Sequence, residues 1–475
     1  MTNFPRALVT RLWVSALQEK KMFDSERRSA RFAPMMDRLR AREWIVPTAM
    51  VLLAIGLSFA MEALDEQVKG RLEPVWYLFS GGQTIARQLL SALAAAMVAI
   101  LTMAFSITVT ALTFIGQYYG SRVLRNFMQD LKTQFVMGTF LATFVYALLV
   151  LRTVHSASDD SSLPRISVTF AIMLAVVSLF ILTYFLYHLS ERMDAPNIVA
   201  SIAHDLDRVI NRTTQARAEI GPSDEKFPPE PTGTAAYLVE ATDNGYIQRI
   251  DEEALIKEAA SHEAMVRLHC RPGVFVVQGD TLATVLVKLG TETPLSIRIR
   301  DSIRLGAARS LEQDIEFGID QLVQVAIRGL SPDRNDTFTA MLCLDRLAAA
   351  LSRLAERDFP PSVRRDRDGY PRLWIRRMRF PDLAHRAFGQ IHSFGSEMPV
   401  VSIRLLETLR TIARRAGRDE DREALRRHAL ETHRASRTSL RDSMDIEDIE
   451  RAFTDTMRTL ARSPQPYSVP EKRNS

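Results

Sequence analysis

The chain has 475 residues, of which 25% are charged and 47% hydrophobic, and its formal net charge at pH 7 is +5. This composition excludes a collagen-like, low-complexity or wholly disordered chain. Two cysteines exclude a disulfide framework and are too few for a zinc site built from cysteines. The whole excess of positive charge lies in residues 1–43, with 10 Lys or Arg against 5 Asp or Glu, and it therefore indicates a basic N-terminal arm.

Four apolar segments follow this arm. A helix needs about 20 apolar residues to cross the hydrocarbon core of a bilayer, and a charge at its centre costs roughly 2.5–3.5 kcal/mol. The second segment is the longest, with no Asp, Glu, Lys or Arg over 28 residues. The sequence therefore predicts four transmembrane helices, at residues 44–61, 89–116, 134–151 and 166–188.

The charges of the loops predict the orientation of these helices. The loop at 117–133 contains three basic residues and one acidic residue, whereas the loops at 62–88 and 152–165 have no basic excess. Because loops rich in Lys and Arg stay in the cytoplasm, we expect both termini to be cytoplasmic. The arm at 1–43 lacks the short apolar run and small-residue cleavage site of a signal peptide.

The chain beyond the fourth span is long enough for a core of its own. We expect a helical extension, a Pro-rich linker, a small β module, a helical cytoplasmic domain and a disordered tail. Their predicted boundaries are 189–220, 221–233, 234–300, 301–462 and 463–475.

The β module is predicted because the period of the apolar residues changes from 3.6 to 2 at about residue 234. The sequence Asp243–Gly245 predicts a tight turn between two strands, and a short helix is expected at Glu252–Ser261. The last strand is predicted from the alternation of Leu295, Ile297 and Ile299 with polar residues.

The helical domain begins where the period returns to 3.6, at Leu311. Asn335 or Asp336 can cap its second helix, and Asp368-Gly369 predicts the turn of a short hairpin. Further helices are expected at 382–394, 400–416, 420–438 and 446–462.

Several stretches resemble the predicted bacterial inner-membrane proteins that carry domain of unknown function 2254. They are WYLFSGG (76–82), MAFSITVTALTF (103–114), the stretches at 121–154 and 312–347, and RPGVFVVQGDTLA (271–283). The resemblance implies a bacterial inner-membrane protein with four spans and a cytoplasmic C-terminal region, and it implies no activity. This chain has Thr337 where the family pattern SPGINDP places proline.

Residues 272–283 also resemble the turns of biotinyl/lipoyl-like β barrels. Gly273 and Gly279 occupy turn positions where positive φ costs glycine nothing, and the apolar positions between them suit a small barrel. The lysine that carries the cofactor in such domains is missing from the expected turn. We therefore expect a barrel-like module and no cofactor.

One face of the second span is predicted to be polar. Spacings of 4, 4, 3 and 4 place five side chains on it, which we call the hydroxyl stripe: Thr102, Ser106, Thr110, Thr113 and Gln117. In a homo-oligomer this stripe could line a hydrated pore. The alternative is helix packing, in which the hydroxyls bond across helices or back to their own carbonyls.

Residues 360–380, the arginine segment, combine cations with aromatic rings. The sequence predicts an anionic-ligand or lipid patch, with a merely solvated face as the alternative. Its members are Arg364, Arg365, Arg367, Arg372, Arg376, Arg377 and Arg379, beside Tyr370 and Trp374.

Two other polar sets are interpreted structurally. Asp314, Glu316 and Asp320 do not share one helix face, which disfavours a metal site, and His428 and His433 are interpreted as a solvated face because zinc-binding helical pairs are usually four residues apart. We found no catalytic constellation, so an enzyme is not indicated, and no nucleic-acid partner is expected.

The sequence thus supports two functional hypotheses for a protein that contacts the lipid bilayer and forms a homo-oligomer. The first is a channel lined by the hydroxyl stripe and gated by the C-terminal region. The alternative is a non-conducting scaffold or sensor whose cytoplasmic domain binds a ligand or an unknown protein partner.

Overall fold

The computed structural model describes residues 44–68, 79–119, 131–156, 163–192, 194–216, 234–288 and 295–462. The predicted N-terminal arm (1–43), the Pro-rich linker (221–233) and the C-terminal tail (463–475) lie outside these residues. Contacts divide the chain into two compact units, Met1–Met193 and Asp194–Ser475.

The N-terminal unit contains four long apolar helices, each long enough to cross a bilayer. They are α1 (Ile45–Val68), α2 (Gln83–Tyr119), α3 (Leu131–Ser156) and α4 (Arg165–Arg192). The four predicted spans are thereby confirmed as helices. Each helix runs several residues beyond its apolar segment, because the polar flanking residues continue the backbone hydrogen bonding without a proline to stop it.

Helix α3 is the most buried of the four, with half of its apolar segment inside the unit. Gly138 lets it approach α1, since a Cβ there would lie 3.1 Å from the backbone of Pro47. The core between helices includes two polar contacts: the hydroxyl oxygens of Thr143 and Ser178 lie 3.1 Å apart, and the Tyr146 hydroxyl donates to the Ser167 carbonyl at 3.2 Å. Small and hydroxylated residues thus join these helices, as expected in lipid.

Asp65, near the end of α1, caps the start of α4. Its carboxylate accepts from the backbone N–H groups of Ile166 and Ser167, both at 2.9 Å, and from the Ser167 hydroxyl at 2.6 Å. These N–H groups have no partner within their own helix, and a negative charge is stabilised at a helix N-terminus. The side chain is buried, so this cap replaces water at an apolar helix end.

The C-terminal unit begins with helix α5 (Ala195–Thr213), whose first turn contains Pro196. The apolar residues on one face of this helix are buried, and Leu206 packs against Gly318, where a Cβ would lie 2.8 Å away. An ion pair of 3.1 Å between Asp207 and Arg353 joins its exposed side to a neighbouring helix.

The remaining elements alternate between strands and helices. In chain order they are β1 (Gln215–Ala216), β2 (Thr234–Glu240), β3 (Gly245–Ile250), α6 (Glu252–Ser261), β4 (Met265–Leu268), β5 (Phe275–Val276), β6 (Thr281–Lys288), α7 (Leu295–Asp301), β7 (Ile303–Gly306), α8 (Ile315–Gly329), α9 (Thr337–Ala355), β8 (Arg357–Asp358), β9 (Val363–Arg365), β10 (Pro371–Ile375), α10 (Phe380–Phe388), α11 (Ile391–Gly395), α12 (Pro399–Ala413), α13 (Asp419–Ser439) and α14 (Ser443–Ala461).

The strands form a five-stranded sheet of order β2-β6-β4-β10-β9, a three-stranded sheet of order β5-β3-β7 and the pair β1-β8. Within the five-stranded sheet, β10 pairs with β4 in parallel and the other pairs are antiparallel. No closed barrel is found among these strands, so the predicted barrel-like module is not confirmed. The turn predicted at Asp243–Gly245 separates two strands that join different sheets.

Strands β7, β9 and β10 come from the range that was predicted as the helical domain. Leu373 and Ile375 of β10 are buried in the same core as Val266 and Leu268 of β4. A strand of five residues with two inward apolar positions gives a weak local signal, and its place in this sheet depends on a distant partner.

One predicted strand is wrong. Residues 295–301 form helix α7, in which Ile299 is completely buried. Leu295 and Ile299 are four residues apart, so two of the three alternating apolar residues also fit one helix face. The predicted helix at Glu252–Ser261 is confirmed at both ends.

The turns and caps of the C-terminal unit agree with their predictions. Gly273 and Gly279 have φ values of +88° and +92°. Helix α8 begins at Ile315, later than predicted, because the Asp314 carboxylate accepts from the Phe317 N–H and caps it. Asp336 caps α9 in the same way.

Candidate anion-binding site

The four hydroxyl side chains of the stripe lie on the outside of the N-terminal unit. Thr102, Thr110 and Thr113 are exposed, and each donates its hydroxyl hydrogen to the carbonyl four residues earlier at 2.9 Å. Ser106 is also exposed, and the side chain of Gln117 lies outside the described part of the chain. The four hydroxyl side chains are therefore exposed on the surface of this unit, and the three threonine donors are satisfied within α2.

The arginines of the first half of the arginine segment are engaged in a hairpin. Strands β9 and β10 pair around Gly369, whose φ is +86°, which confirms the predicted turn. Asp366 accepts from the Arg372 guanidinium at 2.7 Å and from two N–H groups of the turn. The Arg372 guanidinium holds the pKa of the Asp366 carboxyl below its usual range. Arg364 pairs with Glu252 at 3.3 Å, Arg365 donates to the Gly369 carbonyl at 3.2 Å, and Arg367 is exposed.

The second half of the segment lines a cavity in the C-terminal unit. Strands β4 and β10 are parallel, so their carboxyl ends meet at one edge of the sheet. The chain after β4 brings Arg271 to this edge, and the chain after β10 brings Arg376, Arg377 and Arg379. Helices α10 and α13 add Arg386 and Arg427.

We call this space the arginine cavity. Its volume is about 1190 Å³, and its wall includes six arginines and two carboxylates. The arginines are Arg271, Arg376, Arg377, Arg379, Arg386 and Arg427, and the carboxylates are Asp320 and Asp382. A cavity of this size with an excess of guanidinium groups favours an anionic ligand.

A network of ion pairs fixes one side of the cavity. Arg386 pairs with Asp320 at 2.5 Å and with Glu316 at 2.8 Å, and Arg271 also contacts Glu316. Behind them Arg309 pairs with Asp314 at 2.8 Å and with Asp320 at 2.7 Å. The acidic residues that could suggest a metal site thus hold arginines in place, and the described residues contain no group of three His, Cys, Asp or Glu placed to hold a metal.

Two other arginines of the wall pair with glutamates outside this network. Arg377 forms two hydrogen bonds of 2.7 Å with the Glu252 carboxylate, and Arg379 lies 3.5 Å from Glu420. By contrast, Arg376 and Arg427 are exposed and form no ion pair or hydrogen bond with any residue that the structure describes. Their charge remains available to a ligand.

Two histidines also line the cavity. His385 and His428 lie in the wall with ring centroids 5.5 Å apart, and His428 is 4% exposed. The interpretation of His428 as part of a solvated face was therefore wrong. His433 stacks on Phe453 with centroids 4.2 Å apart and pairs with Glu450 at 2.9 Å.

The two cysteines are buried thiols. Burial raises the pKa of Cys270, in the cavity wall, to about 12, and it also raises the pKa of Cys343. A raised pKa keeps a thiol protonated, so neither side chain has the thiolate character of a reactive cysteine.

Sequence reasoning found three of the six cavity arginines and missed Arg271, Arg386 and Arg427. Arg271 is the third residue after the end of β4, where a site often lies if the strand has a parallel neighbour. The missing signal was the pairing of β4 with β10, which are far apart in the chain.

Four membrane-spanning helices followed by a unit of sheets and helices define an integral membrane protein with a large non-membrane unit. The sequence profile of the predicted membrane proteins DUF2254 matches residues 40–411. Uncharacterized proteins from Mycobacterium bovis and Mycobacterium tuberculosis are 30% identical to the chain over 442 residues, covering 91% of this chain and 82% of theirs. The chain therefore belongs to the DUF2254 family. No solved structure matches it.

Proposed function

We propose that this membrane protein is a sensor whose C-terminal unit binds an anionic small molecule in the arginine cavity. The observation that carries the proposal is the pair Arg376 and Arg427, two guanidinium groups on one cavity wall without a partner among the described residues. An excess of guanidinium groups around a cavity attracts an anion, and an anion that accepts hydrogen bonds from them offsets their charge.

The ion-pair network supports the same function. Because Glu316 and Asp320 hold Arg271 and Arg386 from behind, the binding groups are positioned before a ligand arrives. Such preorganisation lowers the entropy cost of binding. The four apolar helices contact lipid and anchor the ligand-binding unit at the membrane.

Anion binding by the full-length protein tests this function. We expect millimolar sulfate to raise the melting temperature of the protein in phosphatidylcholine nanodiscs, and the double variant Arg376→Gln/Arg427→Gln to lower sulfate affinity at least about tenfold, since each charged hydrogen bond is worth about 1.5–3 kcal/mol. The matched control is Arg367→Gln, an exposed arginine of the same segment outside the cavity wall. Equal affinity in all three proteins would contradict the proposal.

A second candidate function is an oligomeric channel, favoured by the outward position of the hydroxyl stripe. In a homo-oligomer with α2 at its centre, the stripe would face the axis. This candidate predicts ion flux in reconstituted vesicles, and it predicts a smaller flux after Ser106→Leu and Thr110→Leu. Absence of flux, or a flux that both substitutions leave unchanged, would contradict a pore lined by the hydroxyl stripe.

The proposed location is the bacterial inner membrane, with both termini and the arginine cavity on the cytoplasmic side. The excess of basic residues in the N-terminal arm and in the loop at 117–133 supports this orientation. A C-terminal green fluorescent protein fusion is expected to fluoresce, and a C-terminal alkaline phosphatase fusion to be inactive. The reverse pair of results would contradict the orientation.

A further inference from the structure

A cluster of three histidines adjoins the arginine cavity. His428 of α13 lies between His385 of α10 and His392 of α11, with ring centroids 5.5 Å and 6.5 Å away. The ring of Phe388 closes a further side, at 6.0 Å. Three helices therefore bring three imidazole rings together beside the cavity.

Charged and titratable side chains surround His428. Arg427 is its neighbour in the cavity wall, while the Glu431 carboxylate lies 3.3 Å from its Nδ1 and 3.6 Å from the Nε2 of His392. Among the other helices that pack on α13, α12 presents the neutral Ser402 to Ser436, and α14 presents Glu450 to His433. One carboxylate is thus shared by two histidines beside a cationic wall.

The pKa of His428 is lowered to about 4, chiefly by burial; Glu431 opposes this shift, and His385, His392 and Arg427 contribute to it. Burial also lowers the pKa of His392. Near neutral pH these rings are therefore uncharged in the empty cavity. An anion in the cavity would favour their protonated forms, since an opposite charge nearby raises the pKa of a histidine.

The chemistry of the wall suits a phosphate ester. A carboxylate fills one guanidinium fork, whereas a phosphate ester offers three terminal oxygens and up to two charges, so it can accept from several arginines at once. Arg376 and Arg427 come from different elements of the wall, and neither has a partner among the described residues. Val274, Val323 and Met378 in the same wall provide apolar surface for the organic part of the ligand.

We infer that the ligand of the arginine cavity is a phosphate ester and that its binding is coupled to proton uptake by the histidine cluster, so that affinity increases on acidification. The inference rests on the proposed function. The sign follows from linkage: where the bound state holds more protons than the free state, affinity rises as pH falls. The window lies above the His428 pKa of about 4 in the empty cavity, because His428 is protonated in both states below it.

The coupling is measured with sulfate, which keeps both charges throughout this range, whereas a phosphate ester loses one near pH 6. The full-length protein in phosphatidylcholine nanodiscs is titrated with sulfate by calorimetry at about pH 7.5 and about pH 5. We expect sulfate to bind about tenfold more tightly at about pH 5, with proton uptake visible as a heat that depends on the ionisation enthalpy of the buffer.

Three variants assign the coupling to the cluster. His428→Gln should remove most of the pH dependence of sulfate affinity. Because His428 is buried and its replacement can impair folding, His385→Gln, at an exposed ring of the same cluster, should reduce the pH dependence as well. His433→Gln, on the same helix α13 but paired with Glu450, should leave it unchanged.

Each outcome bears on one of the two proposals. No sulfate binding at either pH would contradict the proposed function itself. Equal affinity at both pH values without proton uptake would overturn the coupling and leave the proposed function standing.

Competition at about pH 7.5 tests the ligand class. Displacement of sulfate by AMP and not by adenosine supports a soluble phosphate ester. Displacement by phosphatidic acid in the bilayer supports a lipid headgroup, and displacement by neither would overturn the phosphate assignment.

Discussion

The hydroxyl stripe of α2 and the arginine cavity obtain their hydrogen-bond partners in opposite ways. Each threonine of the stripe donates to a carbonyl four residues earlier in its own helix. The cavity arginines depend on distant residues: Arg377 pairs with Glu252, and Arg386 pairs with Glu316 and Asp320.

This difference separates polar residues that are explained by their own helix from polar residues that indicate a binding site. A group that is satisfied by its own helix needs no further explanation, and its spacing along the sequence follows from the helix alone. The cavity gathers guanidinium groups from four segments of the chain, and such an arrangement is typical of a binding site. The predictions below each compare two residues of similar type, one that contacts a distant part of the chain and one that does not.

The largest difference is expected between two glycine turns. Gly273→Ala and Gly279→Ala both place a side chain at φ near +90°, which costs about 1–2 kcal/mol. At Gly279 the new methyl group meets open space, whereas at Gly273 it would lie 2.1 Å from a carboxylate oxygen of Asp314. We expect a loss of about 3 kcal/mol or more at Gly273, because Asp314 caps α8 and pairs with Arg309.

Denaturant unfolding of the full-length protein in detergent measures both losses, with the wild type as reference. Equal losses at Gly273 and Gly279 would show that the contact with Asp314 contributes nothing and that the local turn decides both effects.

Local patterns predicted most of the fold and only part of the candidate site. The four spans, the α6 helix, the glycine turns and the Asp336 cap all depend on residues within a few positions of one another. The five-stranded sheet could not be predicted in the same way, since β10 is a short strand placed by β4. The cavity depends on this pairing, and so Arg376, Arg377 and Arg379 were found as a sequence cluster while Arg271 was not.

The next largest difference is expected between two glutamates that contact arginines in the C-terminal unit. Glu316→Gln removes a carboxylate whose side chain is 6% exposed and leaves Arg271 and Arg386 with one fewer partner. We expect a loss of about 2 kcal/mol, below the full value for a buried pair because both arginines are partly exposed. Glu312→Gln, at the exposed pair with Arg304, should cost less than about 1 kcal/mol.

Thermal and denaturant unfolding of the two variants separate these cases. If Glu312→Gln lowers the free energy of unfolding as much as Glu316→Gln does, burial of the network does not matter. This result would contradict the preorganisation of the cavity wall.

A smaller effect is expected at the cap of α4. Asp65→Ala leaves two backbone N–H groups of the helix start without their acceptor, and a lost N-cap costs about 1–2 kcal/mol. Glu66→Ala, the exposed neighbouring carboxylate, should change the free energy of unfolding by less than about 0.5 kcal/mol. Unfolding of the protein in mixed detergent micelles measures the difference, and equal values would show that charge near the helix end, not the cap, stabilises it.

The smallest difference compares two threonines in membrane helices, and it tests the stripe itself. Thr143→Val removes a buried hydroxyl that faces Ser178 on another helix, and bonds of this kind between membrane helices are worth about 0.6 kcal/mol on average and at most about 1.7. Thr110→Val removes a hydroxyl that is exposed and bonded to its own helix, so unfolding in micelles should change by less than about 0.3 kcal/mol. If Thr110→Val instead destabilises an oligomer, seen as a shift in mass by light scattering, the stripe is a contact between copies of the chain. The local hydrogen bonds of α2 use only the donor of each hydroxyl, so its oxygen can still accept a hydrogen bond from a neighbouring helix.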